Sequence, residues 1–90
     1  MKIFKYPLEI TDRQEVNIKG LVKVLSVAEQ KGNIILYAMV NEESNANYIV
    51  VVKIYGTGQE ISPSVMDHFK FLGTVSHMGG DLMWHVFHMA

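Results

Sequence analysis

The sequence predicts a mainly β domain: a small antiparallel sheet or sandwich of about seven strands, with one short helix near residues 63–69. Three observations predict it. Apolar and polar residues alternate with period two in the first twenty residues. Three later segments (21–30, 34–40 and 48–55) are dense in β-branched and aromatic side chains. Glycine and asparagine punctuate the chain at Gly20, Lys31-Gly32-Asn33 and Gly79-Gly80-Asp81, where strands must reverse.

The elements follow in order. Residues 2–10, KIFKYPLEI, put Ile3, Lys5 and Pro7 on one side and Phe4, Tyr6, Leu8 and Ile10 on the other. Pro7 has no N–H to give to a ladder, which predicts an edge strand. Thr11 to Gln14 is a polar turn. Val16 and Ile18 then alternate with Glu15, Asn17 and Lys19 in a second short strand that Gly20 ends. Residues 21–30 and 34–40 read as a hairpin about Lys31-Gly32-Asn33. Asn41 to Asn47, NEESNAN, reads as a solvated loop, and residues 48–55, YIVVVKIY, as a strand covered on both faces for much of its length. Ser62 is a fitting N-cap with Pro63 at the first helical position, so a short helix is expected over 63–69. Residues 70–78 and 82–89 return to strand across the Gly79-Gly80 turn.

Ninety residues make one domain, spanning 1–90. So small a domain buries roughly 60–65% of its unfolded surface. With 49% hydrophobic and only 19% charged residues, part of the apolar surface is expected in a subunit interface. The net charge of -1, from eight Lys and Arg against nine Asp and Glu, argues against a long nucleic acid as partner. A small anion needs only local cations and backbone N–H groups. The absence of cysteine removes disulfides, thiolate metal sites and a cysteine nucleophile. No segment is long and apolar enough for a signal peptide or a membrane span, so a soluble intracellular protein without a membrane partner is expected.

Three groups of residues are candidates for chemistry. In Tyr55-Gly56-Thr57-Gly58-Gln59, two glycines permit positive φ and close approach of a ligand to the backbone. Loop N–H groups, the Thr57 hydroxyl and the Gln59 amide can surround an anion. The loop lacks the spacing and lysine of a P-loop and the third glycine of a dinucleotide fingerprint, and a plain turn is its favoured reading. His77 and His85 lie on neighbouring strands across the Gly79-Gly80 turn, a placement that allows them to come close. His85 and His88, three apart on one strand, face opposite sides. No third ligand has convincing spacing, so no metal site is assigned. His85, between Met83 and Phe87 on its own face, reads as a hydrogen-bonded, partly buried histidine. Tyr6, Tyr37, Tyr48, Tyr55 and Trp84 read first as core, although Trp84 is the best single stacking platform for a base. No nucleophile turn and no carboxylate pair in an apolar setting appears. Asp81 with His85 can be written as an acid–base pair, but nothing in the pattern selects it. The expectation is a protein that is not an enzyme and needs no cofactor.

Several short pieces stand in a fixed order: Lys5-Tyr6, Thr11-Asp12-Arg13-Gln14, Tyr55-Gly56-Thr57-Gly58, Leu72-Gly73-Thr74-Val75, and Gly79-Gly80 followed by Trp84-His85-Val86-Phe87. Over nearly the whole chain this ordered set resembles a family of small phage and prophage proteins, similar to anti-CBASS sponges. Those proteins bind cyclic dinucleotide alarm signals and withhold them from host effectors. The resemblance implies a tetrameric, non-catalytic binder of a ligand such as 3'3'-cGAMP, acting in the host cytoplasm. Some relatives carry histidine after the GTG; here the residue is Gln59, and no imidazole role carries over to it. The implied ligand-binding set is the Tyr55–Gln59 loop as phosphate cradle, Trp84 or a tyrosine such as Tyr6 as stacking platform, Arg13, Lys5 or Lys53 as cation, and His85 beside the loop. A nanomolar sponge must find about −12 kcal/mol. Two stacked bases at roughly 1–3 kcal/mol each leave most of that to phosphate contacts. The alternative is a small protein-interaction module that binds and inhibits a host protein.

Overall fold

The computed structural model describes residues 1–89. Seven strands form two antiparallel sheets. They are β1 (Lys2–Leu8), β2 (Gln14–Lys19), β3 (Leu21–Gln30), β4 (Asn33–Val40), β5 (Asn47–Gly56), β6 (Lys70–His77) and β7 (Leu82–Met89). One helix, α1 (Pro63–His68), lies between β5 and β6, and a single 3₁₀ turn, Met78–Gly80, joins β6 to β7. The expected mainly β fold with one short helix is what the chain adopts.

The first sheet has the order β1-β4-β3, the second β2-β5-β7-β6. Pro7 indeed sits on an edge strand. Paired residues share a face, so the register assigns the two surfaces of each sheet. In the first sheet, Leu8, Tyr6 and Phe4 stand opposite Ile34, Leu36 and Ala38 on the inner face. In the second, Val16 and Ile18 join Val50, Val52, Ile54 and Val86. These inner residues meet as one core, in which Ile18, Leu36, Ala38, Val50, Val52 and Val86 are fully buried. Each such Ile, Leu or Val side chain stabilises the fold by about 1.5–3 kcal/mol relative to exposure. The two sheets come together where β3 meets β6, and a Cβ on Gly73 of β6 would lie 3.0 Å from Val27 of β3. On the opposite side β1 and β2 belong to different sheets and do not pair.

The hairpin of β3 and β4 has the expected strands, with two irregularities the sequence did not announce. Register shifts between Leu21 and Lys23 and between Val24 and Ser26 insert Val22 and Leu25 as extra residues. Each bulge resets the alternation, which keeps Leu21, Val24 and Val27 on the inner face.

Helix α1 begins as read. Ser62 is its N-cap in extended conformation and accepts from the Ser64 amide, with Pro63 at the start. The helix ends one residue earlier than expected, at His68, and Phe69 is its C-cap. It lies on the outer face of the second sheet, where Val65 and Phe69 pack on Tyr55 and Phe87 in a second cluster. This is why β5 is covered on both faces: Val50, Val52 and Ile54 look inward, while Tyr55 looks toward the helix.

A candidate ligand cleft at the open edge

The residues singled out from the sequence divide among several places. The Tyr55–Gln59 loop closes on itself. The Gln59 amide donates to the Gly56 carbonyl at 3.1 Å, and Gly58 has φ +89° while Thr57 does not have positive φ. That is a type II turn with glycine at its third position. The Gln59 side chain accepts from the Gly56 amide at 3.0 Å and donates to Asp12 at 3.4 Å. The loop is thereby tied to the Thr11–Gln14 turn, and the Gly56 N–H is already used. Arg13 in that turn is ion-paired with Glu15 at 2.9 Å. Lys53 lies 5.2 Å over the Phe69 ring.

His85 sits on the outer face of the second sheet, opposite Tyr55 on β5 and Thr74 on β6. Its Nε2 is 2.8 Å from the Thr57 hydroxyl and its Nδ1 is 2.9 Å from the Thr74 hydroxyl. The imidazole pins the loop to β6, as a hydrogen-bonded and partly buried histidine should. His77, which the sequence allowed to come close, does not. The register places Thr74, not His77, opposite His85, and His77 donates its Nε2–H to the Gly32 carbonyl at 2.8 Å. The connection Met78–Asp81 is short and pairs His77 with Leu82, so His85 lies farther along β7 than His77 can face. His88 faces inward, opposite Val52, on the other side from His85. Among the described residues no three His, Asp or Glu side chains gather as a metal site.

Trp84 is on the inner face and packs against the core. Its ring lies where a Cβ on Gly56 would come within 3.3 Å, which explains a glycine there. The indole Nε1–H is buried with no partner among the described residues. Trp84 is therefore a core residue beneath the loop, and Lys5 lies on the outer face of the first sheet beside Tyr37.

Tyr6, of the same set, opens onto a cleft. This cleft, about 370 Å³, is lined by Phe4 and Tyr6 of β1, Asn17 and Lys19 of β2, and Val40, Asn41, Glu42 and Ser44 from the end of β4 and the loop after it. Its volume falls in the range of small-molecule sites, about 300–1,000 Å³. The alternation of β1 supplies the aromatic side: Phe4 and Tyr6 share the inner face, and the edge position leaves them partly uncovered. Burial raises the Tyr6 phenol above its ordinary pKa, so it remains a neutral hydroxyl. The polar side is held by backbone. The Asn41 amide donates to the Gly20 carbonyl at 2.8 Å, and the Gly20 amide donates to the Ala46 carbonyl at 2.7 Å. Gly20 has φ +72°, and a Cβ there would lie 2.3 Å from the Asn41 oxygen. Only glycine permits this crossing, and the crossing places the loop at the cleft mouth. Lys2 bridges to Glu42 at 3.2 Å across the same mouth. Lys19 has no ion-pair partner among the described residues.

Comparison with known proteins adds the family. A family model covers residues 1–90. The chain belongs to the DUF7352 family. The family's description is a domain of unknown function. No curated protein and no solved structure matches the chain. Membership thus names a lineage and leaves the chemistry to the geometry. Apart from Tyr6, the cleft residues, which are Phe4, Asn17, Lys19, Val40, Asn41, Glu42 and Ser44, are not marked as a site by the sequence. They are distant in sequence, and the one signal available was the polar density of Asn41–Asn47, which reads equally as a solvated loop.

Proposed function

We propose that this domain is a non-catalytic binding protein that sequesters a cyclic dinucleotide signal, a phage anti-defence sponge acting in the host cytoplasm. The observation that carries the proposal is the composition of the open-edge cleft, whose lining combines two aromatic residues, Phe4 and Tyr6, with Asn17, Asn41 and Lys19, a lysine without an ion-pair partner among the described residues. Those are the groups a nucleotide requires. An aromatic face stacks a base in a manner worth about 1–3 kcal/mol, an ammonium meets a phosphate, and amides meet base edges. The ordered set of short motifs that resembles the sponge proteins supports the same conclusion independently.

The proposal moves the ligand away from the Tyr55–Gln59 loop, whose hydrogen bonds are largely internal. A cleft of about 370 Å³ suits one nucleotide half better than a whole cyclic dinucleotide. Two copies meeting across a two-fold axis would each hold one half, in keeping with a tetramer built of such pairs.

The test is titration of the purified protein with a panel of cyclic dinucleotides by calorimetry. At least one is expected to bind with Kd below about 10 μM, or roughly −7 kcal/mol. Tyr6→Ala is expected to weaken it by about 1–3 kcal/mol. Lys19→Met is expected to weaken it and flatten its salt dependence. No binding by any member overturns the proposal, and conversion of the ligand overturns its non-catalytic part.

A second reading has its own observation. The outer face of the first sheet carries Ile3, Pro7, Ala28, Ile35 and Met39, and a host protein is an alternative cover for it. A stoichiometric protein partner recovered from host lysate, with no nucleotide retained, favours that reading.

A further inference from the structure

The polar groups of the cleft differ in what the fold has left them to do. Asn41 Oδ1 already accepts from the Glu43 amide at 3.1 Å, so its Nδ2 remains as a donor. Ser44 Oγ already accepts from the Ala46 amide at 3.3 Å, so its hydroxyl proton remains. Lys19 is a donor only. Glu42 is the one carboxylate in the lining. Its Oε1 meets Lys2, and Oε2 has no partner among the described residues. The cleft lining therefore combines several side-chain donors with a single side chain that can only accept.

Resting on the nucleotide-binding function proposed above, we propose that the cleft discriminates between bases and selects guanine over adenine, with Glu42 as the residue that determines the choice. Guanine presents two adjacent donors, N1–H and the N2 amino group, which together match a carboxylate. Its remaining edge, O6 and N7, presents only acceptors, which suit the Asn41 amide and the Ser44 hydroxyl and leave Lys19 for the phosphate. Adenine presents an unprotonated N1 where guanine presents N1–H. Set against a carboxylate, that nitrogen makes a lone-pair repulsion, and the carboxylate loses its water without gaining a partner. A site whose polar group is left unpaired rejects the wrong ligand more strongly than a missing apolar contact does. Phe4 and Tyr6 stack either purine and contribute nothing to the choice.

The experiment is calorimetric titration of the whole protein with GMP, AMP, cyclic di-GMP and cyclic di-AMP, repeated with Glu42→Gln and Lys2→Met. The expected result is tighter binding of the guanine member of each pair by about ten-fold or more, the discrimination that one bidentate contact supplies. Glu42→Gln offers an amide in place of one carboxylate oxygen and is expected to reduce the preference to within about three-fold, chiefly by losing guanine. Lys2→Met removes the ion pair while keeping the carboxylate, and is expected to keep the preference. Circular dichroism confirms the fold of both variants, whose substituted side chains are exposed. Equal binding of guanine and adenine ligands overturns the guanine assignment and leaves nucleotide binding standing. Absence of binding by all four, and by the wider cyclic dinucleotide panel, overturns both. A Lys2→Met variant that loses the preference as fully as Glu42→Gln overturns Glu42 as the direct reader, since the ion pair would then be what matters.

Discussion

Two glycines with positive φ separate strain from collision. At Gly20 a Cβ would meet the Asn41 oxygen at 2.3 Å, while at Gly58 it would meet nothing within 4 Å. Gly20→Ala is expected to cost about 3 kcal/mol or more, since backbone strain and overlap with main chain add. Gly58→Ala is expected to cost only about 1 kcal/mol, the conformational part alone. Urea midpoints of the two variants check the contrast. His88 gives a pH dependence. Burial, and after it the charge of Lys70, holds its imidazole below the ordinary histidine pKa. The unfolded chain therefore takes up this proton first as pH falls. Stability from a neutral His88 is complete above about pH 6.5, declines as pH falls toward the depressed folded pKa, and levels off below it. Melting temperatures from pH 8 to pH 5 should fall more steeply for the native chain than for His88→Leu. A slope unchanged by the substitution would remove His88 as the cause.

At the scale of elements, α1 is the piece with least support of its own. Six residues cannot hold a helix in water, and it persists through docking. Val65 is its one buried side chain. Val65→Ala is expected to cost about 2 kcal/mol, from lost burial plus the cavity left against Tyr55 and Phe87. Limited proteolysis should then cut the segment between Gly58 and Phe69 earlier than the rest of the chain. The helix was legible in the sequence because Ser62 and Pro63 are local signals of a start. The two bulges of β3 were not, because Val24 to Ala28, within β3, is apolar or small on both faces and its alternation does not reveal an extra residue. Their positions follow from the partner strand, whose inner face of Ile34, Leu36, Ala38 and Val40 fixes which β3 residues must turn inward.

At the scale of the whole molecule, the two outer faces are unequal. Helix α1 covers part of one, and no element of the described chain lies on the other. On that uncovered face Ile3 is 57% exposed, opposite Met39 on β4 and with Pro7 on the same side of its own strand. Apolar surface of this kind on a small domain favours self-association. Native mass spectrometry of the purified protein is expected to show an oligomer. Ile3→Glu combined with Met39→Glu is expected to shift it toward the monomer without loss of β-sheet circular dichroism. A native chain that runs as a monomer at micromolar concentration would assign that face to another partner.

The sequence by itself determined the strands, the helix start, the edge position of Pro7, the inward and outward faces of β1 and the opposite facing of His85 and His88. All of these follow from alternation, turn residues and capping, which act within a few residues of the chain. It also marked Tyr55–Gln59 as a special turn, and both glycines there have a local reason, Gly58 its positive φ and Gly56 the Trp84 ring 3.3 Å from where a Cβ would lie. Only the tertiary structure decided that Thr57 and Thr74 bracket His85, that Trp84 faces the core, and that Tyr6 shares a cleft with Lys19 and Glu42. These neighbours are brought together by the order of strands in two sheets and by a glycine crossing at Gly20. No local pattern encodes a strand order, because the energy that selects it comes from packing two whole faces at once.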